Sequence, residues 1–196
     1  MDPQSTKERI IDVSIDLFSE KGYTETSVRE IARGTGIKQS SIYNHFASKQ
    51  AILDHILAIY ISNIGRNTPD RKALEQLALN EDPRTVINSL FFSFGEEKYF
   101  KILRIILHEQ YRNDQVSEFM RRQQFEFNED YIGYALELLI KHKKIIPVNS
   151  RYMASIINAL NIYGSAQYAH FSASEEFEKM ADRDKLVEFL LEFLIQ

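Results

Sequence analysis

The stretch that decides the fold is SVREIARGTGIKQSSIYNHF, residues 27–46. Ser27 and Glu30 have the spacing of a capping box, in which two side chains satisfy backbone N–H groups at a helix start. Ala32 is small enough for two short helices to cross closely, and Gly36 tolerates the positive φ of a tight turn. The apolar residues expected to pin both helices to the preceding helix are Ile31, Ile37 and Ile42. The stretch therefore predicts a helix-turn-helix corner.

Helical periodicity extends on both sides of this corner. Ser5 and Glu8 repeat the capping box, and apolar residues then follow at helical spacing as far as Gly22. Glycine and proline are scarce, at seven and four residues, so few positions break a helix. We therefore predict an all-α protein of about nine to ten helices. Its expected parts are an N-terminal three-helix domain in residues 1–50 and a larger helical domain in residues 51–196.

The helices beyond the first two are placed by caps and by periodicity. Thr68 and Asp82, each followed by proline, are the expected N-caps of two of them, because proline suits the first helical position. The expected helices lie at about residues 40–46, 48–65, 70–80, 83–95, 97–111, 115–143, 150–171 and 182–195.

The exposed side of the second corner helix carries side chains suited to nucleic acid. Amide groups can bridge adenine, and lysine can donate to guanine. Residues 1–50 hold seven Lys/Arg and seven Asp/Glu, so a basic patch has to be local. No carboxylate occurs from Thr35 to Leu53, which leaves this span without groups that repel phosphate. We therefore predict binding to double-stranded DNA. The side chains on this face are Lys38, Gln39, Ser40, Ser41, Asn44 and His45.

The corner and its flanks resemble the tetracycline-repressor (TetR) family of bacterial regulators. The resemblance covers about residues 5–60 and rests on TSVREIA at 26–32, Gly36-Ile37, Ile42-Tyr43, His45-Phe46 and Ser48-Lys49. It implies phosphate contacts by Ser27, Tyr43, His45 and Lys49. It implies base contacts by Arg29, Lys38, Gln39, Ser40, Ser41 and Asn44. Lys38 stands where the family often has a capping serine, so we expect the recognition helix to start with less capping and more reach. Asn44 stands where many members have an aromatic or basic residue, which leaves the base preference open.

A homodimer and a palindromic operator follow from the size of one recognition helix. Such a helix covers few base pairs, so two are normally placed about 34 Å apart in successive major grooves. Residues 186–195 are apolar on nearly every side, and a helix of this kind does not lie on a monomer's surface. Complete burial within one subunit is the alternative. The predicted interface residues are Ile156, Ile157, Leu160, Gly164, Leu186, Phe189, Leu190 and Phe193.

The central region, residues 51–171, is rich in aromatic side chains, most of which we expect in the core. The resemblance implies that this region encloses a mostly apolar effector pocket. The expected function is that of a ligand-responsive repressor, released from its operator by a small apolar or aromatic effector. The candidate pocket residues are Tyr60, Phe91, Leu103, Leu107, His108, Tyr134, Asn158 and Asn161.

Other function classes find little support. The chain has no cysteine, which excludes disulfides and thiolate chemistry, and it shows neither a secretory pattern nor a span of about 20 apolar residues. We therefore expect a cytoplasmic protein. The five histidines are scattered without metal-ligand spacing, so we expect neither an enzyme nor a metal or cofactor. A helical protein-interaction module and a ligand-independent DNA-binding regulator stay open as alternatives.

Overall fold

The computed structural model describes residues 5–91, 96–170 and 185–195, which contain helices and no strand. The predicted all-α fold is confirmed. The helices in chain order are α1 Thr6–Lys21, α2 Val28–Thr35, α3 Gln39–Ile42, α4 Lys49–Asn67, α5 Arg71–Asn80, α6 Pro83–Ser89, α7 Glu97–Glu109, α8 Asp114–Met120, the π-helix Arg121–Phe127, α9 Asn128–Lys141, α10 Ser150–His170 and α11 at residues 185–194.

The chain divides into two compact units, each built from two stretches of sequence. The first unit comprises Met1–Gly65 and Phe94–Asp114, and the second comprises Arg66–Ser93 and Gln115–Gln196. The predicted division into a DNA-binding domain of residues 1–50 and a helical domain of residues 51–196 stays a prediction.

Both predicted capping boxes are present. The Ser5 hydroxyl accepts the Glu8 N–H at 3.2 Å, and the Glu8 carboxylate accepts the Ser5 N–H at 2.8 Å. At α2 the same reciprocal pair joins Ser27 and Glu30, at 3.2 and 2.9 Å. Since each box satisfies two otherwise unpaired donors, it fixes where its helix begins.

The first unit has a core of aliphatic residues from α1, α2, α3, α4 and α7. Helix α7 packs on α1, and two ion pairs set the register: Lys98 to Asp12 at 2.7 Å and Lys101 to Asp16 at 2.8 Å. These pairs advance together along both helices, so α7 runs parallel to α1. The most deeply buried side chains are Ile10, Ile15, Phe18, Ile31, Ile42, Ile52, Leu53, Ile56, Ile102, Leu103, Ile105 and Ile106.

The cap expected at Thr68 is wrong. Helix α4 continues to Asn67, and the N-cap of α5 is Asp70, whose carboxylate accepts the Ala73 N–H at 2.7 Å. An aspartate two residues later was the better acceptor for this turn. The cap expected at Asp82 is confirmed, with Pro83 as the first helical residue.

A π-helix interrupts the single helix that the sequence predicts over residues 115–143. Seven residues, Arg121–Phe127, take the wider turn between α8 and α9. The core of the second unit gathers apolar residues of α5, α6, α9, α10 and α11, so α10 and α11 each bury one face. The ion pair between Arg84 and Glu188, at 2.7 Å, joins α6 to α11.

Candidate DNA-binding site

The turn between α2 and α3 has the geometry predicted from Gly36. This residue ends α2 in the left-handed conformation, with φ at +73°, and the Ile37 N–H returns to the Ala32 carbonyl at 3.0 Å. Ala32 and Ile42 are buried and Ile37 is half-buried. The corner is therefore held by both its turn and its apolar contacts, as a helix-turn-helix requires.

Sequence reasoning missed the role of Gly34. A Cβ atom at this position would lie 2.7 Å from Cγ1 of Val13, so α1 and α2 approach each other closely at this point. This close contact needs a residue without a side chain where α2 meets α1. A glycine near a helix end is more readily interpreted as a stop signal, which is why its packing role was not evident.

The recognition segment, residues 38–45, contains less regular α-helix than the helix predicted at about residues 40–46. Regular helix spans Gln39–Ile42, and a turn over residues 43–45 follows, in which the His45 N–H bonds to the Ile42 carbonyl at 2.9 Å. Bonds of this i→i+3 type tighten the last turn of a helix. Lys38 occupies the N-cap without a side-chain capping bond, as its basic side chain led us to expect.

Most residues predicted to contact DNA are exposed. Ile42 and Phe46 point inward and form the apolar side of the segment, whereas the Tyr43 ring between them is 51% exposed. Ser41 and Lys49 are half-buried. The exposed members of the predicted set are Ser27, Arg29, Lys38, Gln39, Ser40, Tyr43, Asn44 and His45.

Lys49 is engaged with backbone carbonyls of the loop that precedes α2. Its ammonium donates to the carbonyls of Tyr23 at 2.7 Å, Thr24 at 3.3 Å and Thr26 at 2.8 Å. It also lies 4.3 Å from the centre of the Tyr23 ring. Burial lowers the pKa of Lys49 from its usual value. The family resemblance implies a phosphate partner for Lys49, whereas its partners among the described residues are backbone carbonyls.

The loop that Lys49 holds is fixed at further points. The Tyr23 N–H donates to the buried carboxylate of Glu109 at 3.3 Å, and the Tyr23 hydroxyl donates to the Gln50 side chain at 3.0 Å. The Thr26 hydroxyl donates to the Gly22 carbonyl at 2.8 Å. Because this loop ends at Ser27, these bonds position the N-terminus of α2, whose N–H groups could meet a phosphate.

The geometry of the first unit agrees with known proteins. Residues 10–56 match the family model of bacterial regulatory proteins, tetR family. A crystal structure of an AcrR-family transcriptional regulator from Aquifex aeolicus VF5 is 25% identical, with a TM-score of 0.64 over 95% of this chain and 98% of that chain. Both matches support a transcriptional regulator of the TetR family. The family resemblance stated from residues 5–60 is thereby confirmed.

Two relatives with helix-turn-helix names match over part of their length. The uncharacterized regulator YerO of Bacillus subtilis is 31% identical over 129 residues, which is 64% of this chain and 44% of that protein. The negative transcriptional regulator IcaR of the biofilm operon icaADBC of Staphylococcus aureus is 44% identical over 61 residues, 30% of this chain and 33% of that protein. The matched regions thus cover less than half of either relative. Both relatives are named as transcriptional regulators.

The residues predicted to line an effector pocket are divided between the two units. Leu103 and Tyr60 are buried in the first unit, and burial raises the pKa of the Tyr60 hydroxyl. Tyr134, in the second unit, donates its hydroxyl to Glu75 and stacks against Arg71. Leu107 is half-buried and His108 is exposed in the first unit, whereas Phe91, Asn158 and Asn161 are buried in the second unit.

The predicted dimer residues separate into exposed and buried sets. Val187, Leu190, Leu191 and Leu194 face the core of the second unit, so the opposite side of α11 is left exposed. Ile157, Gly164 and Leu190 are buried within the chain, because their helices turn these positions inward; they therefore offer no surface to a partner. Leu160 is half-buried, and the exposed members are Ile156, Leu186, Phe189 and Phe193.

Over the three described stretches, none of the helices combines the length and the apolar character needed to cross a membrane.

Proposed function

We propose that this protein is a repressor that binds a palindromic DNA operator as a homodimer and leaves it when a small effector binds. The observation that carries the DNA-binding part is the exposed recognition segment, residues 38–45, which holds no carboxylate and rests on a buried apolar side. Repression is supported by the likeness to IcaR, whose name describes a negative regulator. The cytoplasm is the proposed location, because the operator is there.

The recognition segment supports direct reading of bases. Gln39 and Asn44 are exposed amides, and such side chains form bidentate hydrogen bonds to adenine in the major groove. Arg29, Ser40 and Ser41 add donors for bases, while Ser27, Tyr43 and His45 add donors for phosphate. We propose that Lys38 contacts guanine or phosphate directly. Lys49 would act mainly through the loop that it holds.

The exposed apolar side of α10 and α11 supports the homodimer. Ile156 is 49% exposed on α10, and Phe189 is 72% exposed on α11. Tyr152, Leu186 and Phe193 extend this exposed set. Apolar faces of this kind on two helices suit a four-helix interface between two copies, with side chains packing across the two-fold axis.

The DNA proposal is tested by selecting bound sequences from random duplexes and titrating the winners at several salt concentrations. We expect a palindrome, with affinity that falls steeply as salt rises, because each neutralised phosphate releases counterions. Enrichment of no sequence, together with a flat response to salt, would sink the proposal and favour a protein-interaction module.

Matched variants separate base-specific recognition from general electrostatic attraction to DNA. Asn44→Ala should relax the preference at one position of the selected motif, whereas Tyr43→Phe should weaken all sequences alike. Lys38→Ala should lower affinity well below that of Lys72→Ala, which removes the same charge from an exposed site on α5. An unchanged motif in Asn44→Ala would show that this residue does not read a base.

Sedimentation tests the homodimer. Phe189→Glu should dissociate the protein, because a carboxylate cannot be buried unpaired in an apolar interface. Leu79→Glu is the matched control, since Leu79 is also a large exposed apolar residue but lies on α5. A wild-type monomer at micromolar concentration, or dissociation by both variants alike, would contradict the proposed interface.

A further inference from the structure

Helix α10 carries a row of buried polar side chains on the face that packs inside the second unit. Asn158, Asn161 and Ser165 occupy positions i, i+3 and i+7, which lie within about 60° of one another around a helix that turns 100° per residue. All three are almost fully buried, with Asn158 at 1% and Ser165 at 3% exposure. A buried polar row needs partners, since an unpaired buried group is costly.

Two atoms of this row have no partner among the described residues. They are Oδ1 of Asn158 and Oγ of Ser165. The orientation of the Asn158 amide is fixed, because its Nδ2 donates to the Gln124 carbonyl at 2.7 Å and a flipped amide would face that carbonyl with its own oxygen. The carbonyl oxygen of Asn158 is therefore an acceptor held in place without a donor.

The row lies on the inner side of α10, away from the proposed dimer face. Ile156 and Tyr163, both about half exposed, lie about 140–160° around the helix from Asn158. A second copy of the chain that docks on the exposed side would therefore not reach Oδ1 of Asn158. The missing donor has to come from a molecule that enters the unit.

The carbonyl that orients Asn158 belongs to the π-helix. Gln124 is itself buried, and its side chain accepts a hydrogen bond from the Asn128 amide at 3.0 Å. π-Helical turns are rare and occur frequently at functional sites, where they displace a segment of helix. The π-helix thus supplies, at Gln124, the carbonyl that orients the unpartnered acceptor of Asn158.

We propose that Asn158 and Ser165 form the polar part of the effector site, which accepts a neutral small molecule that bears a hydroxyl or amide N–H donor. This rests on the effector response proposed above and narrows its chemistry. The donor bonds to Oδ1 of Asn158, and a second polar group meets the Ser165 hydroxyl, seven residues or about 10 Å further along the helix. A charged ligand is disfavoured at this depth, because burial of an unpaired charge costs far more than burial of a neutral donor.

The test measures binding of matched probes to the full chain in the absence of DNA. Benzamide and acetophenone differ by an amide NH2 in place of a methyl group, and benzyl alcohol and ethylbenzene differ by a hydroxyl in the same way. We expect the donor-bearing member to bind at least about tenfold more tightly, the ratio that a paired buried acceptor supports. Titration followed by the Asn158 side-chain amide resonance gives both the affinity and the location.

Two variants of the second unit provide the control. Asn158→Ala should abolish the donor preference, whereas Ser89→Ala, which removes a hydroxyl bonded to the Val86 carbonyl, should keep it. Should Asn158→Ala not fold, Asn158→Leu is the second variant, because leucine fills the same space without the acceptor; it too should abolish the donor preference.

Three outcomes would overturn the inference: equal affinity within both pairs, a preference that survives in Asn158→Ala or Asn158→Leu, or no binding of any probe. The last would mean that a resident water satisfies the acceptor. None of these readouts involves DNA, so failure here leaves the repressor proposal intact. A protein that binds the probes but no operator would contradict the repressor proposal and leave the ligand site supported.

Discussion

Replacement of Lys49 by methionine should lower the free energy of unfolding by about 2 kcal/mol, because the ammonium holds the loop before α2. Methionine keeps the length of the side chain and its contact with the Tyr23 ring but removes the three donors. The bonds lost are those to the carbonyls of Tyr23 at 2.7 Å, Thr26 at 2.8 Å and Thr24 at 3.3 Å. The loss should be local, since all three carbonyls belong to one loop.

The magnitude follows from the geometry of these bonds. A hydrogen bond that involves a charged group contributes about 1.5–3 kcal/mol when it is well buried. Lys49 is only half-buried, so its two short bonds belong at or below the lower end of that range, and the long bond adds little. Water replaces part of what the freed carbonyls lose, which brings the sum to about 2 kcal/mol. A lysine that extended into solvent would change stability by less than about 0.5 kcal/mol.

Urea unfolding of Lys49→Met beside Lys38→Met measures the difference. Lys38 is an exposed lysine that makes no capping bond, so its replacement should leave stability nearly unchanged. Equal stability of the two variants would refute the role of Lys49 as a tie of the loop. The salt dependence of operator binding tests the phosphate contact implied by the family resemblance: the slope falls by about one if Lys49 also meets a phosphate, and stays unchanged if it does not.

Three other perturbations have definite expected outcomes. Gly36→Ala should destabilise the protein by about 1–2 kcal/mol, measured by denaturation, because φ is +73° at this position; a neutral effect would contradict the strained turn. The hydrogen bonds of Lys21 and Ser27 lower the pKa of Glu30 to about 2. The stabilisation from this carboxylate is therefore present above its unfolded pKa of about 4.3 and is lost as the pH falls toward 2. The free energy of unfolding of Glu30→Gln should therefore fall less than that of the wild type over this pH range. A fragment of residues 1–65 should show little helix by circular dichroism, because it lacks the α7 residues of its core; a cooperatively folded fragment would disprove this.

Local signals in the sequence were sufficient to predict the helix-turn-helix corner. The capping box at Ser27, the turn at Gly36 and the inward Ile42 depend on neighbours within a few residues, and each is found where the pattern predicts it. The family resemblance added the expected division of the exposed side chains into phosphate and base contacts. The cap at Thr68 was wrong for an equally local reason: Asp70 competes for the same role, and an aspartate is at least as good an N-cap as a threonine.

Features that depend on distant partners were not accessible to the same reasoning. A π-helix of seven residues is too short to leave a periodicity of its own in the sequence, and the carbonyl that orients the Asn158 amide belongs to residue 124, 34 positions away. Gly34 has its role only because Val13 lies against it. The partners of Lys49 are carbonyls, which every residue carries, so no side-chain pattern could identify them.

The first unit explains why a DNA-binding corner can be so small. Helix α3 has a single turn of regular helix, and a helix of that length is not stable alone. Its position comes from α1 and α2, and α1 in turn is held by α7 through Lys98 and Lys101, from about 85 residues further along the chain. The buried Glu109 at the end of α7 binds the loop before α2. A shift of α7 along α1 would therefore strain the loop that places the N-terminus of α2, so the reading face depends on a helix that contributes no residue to it.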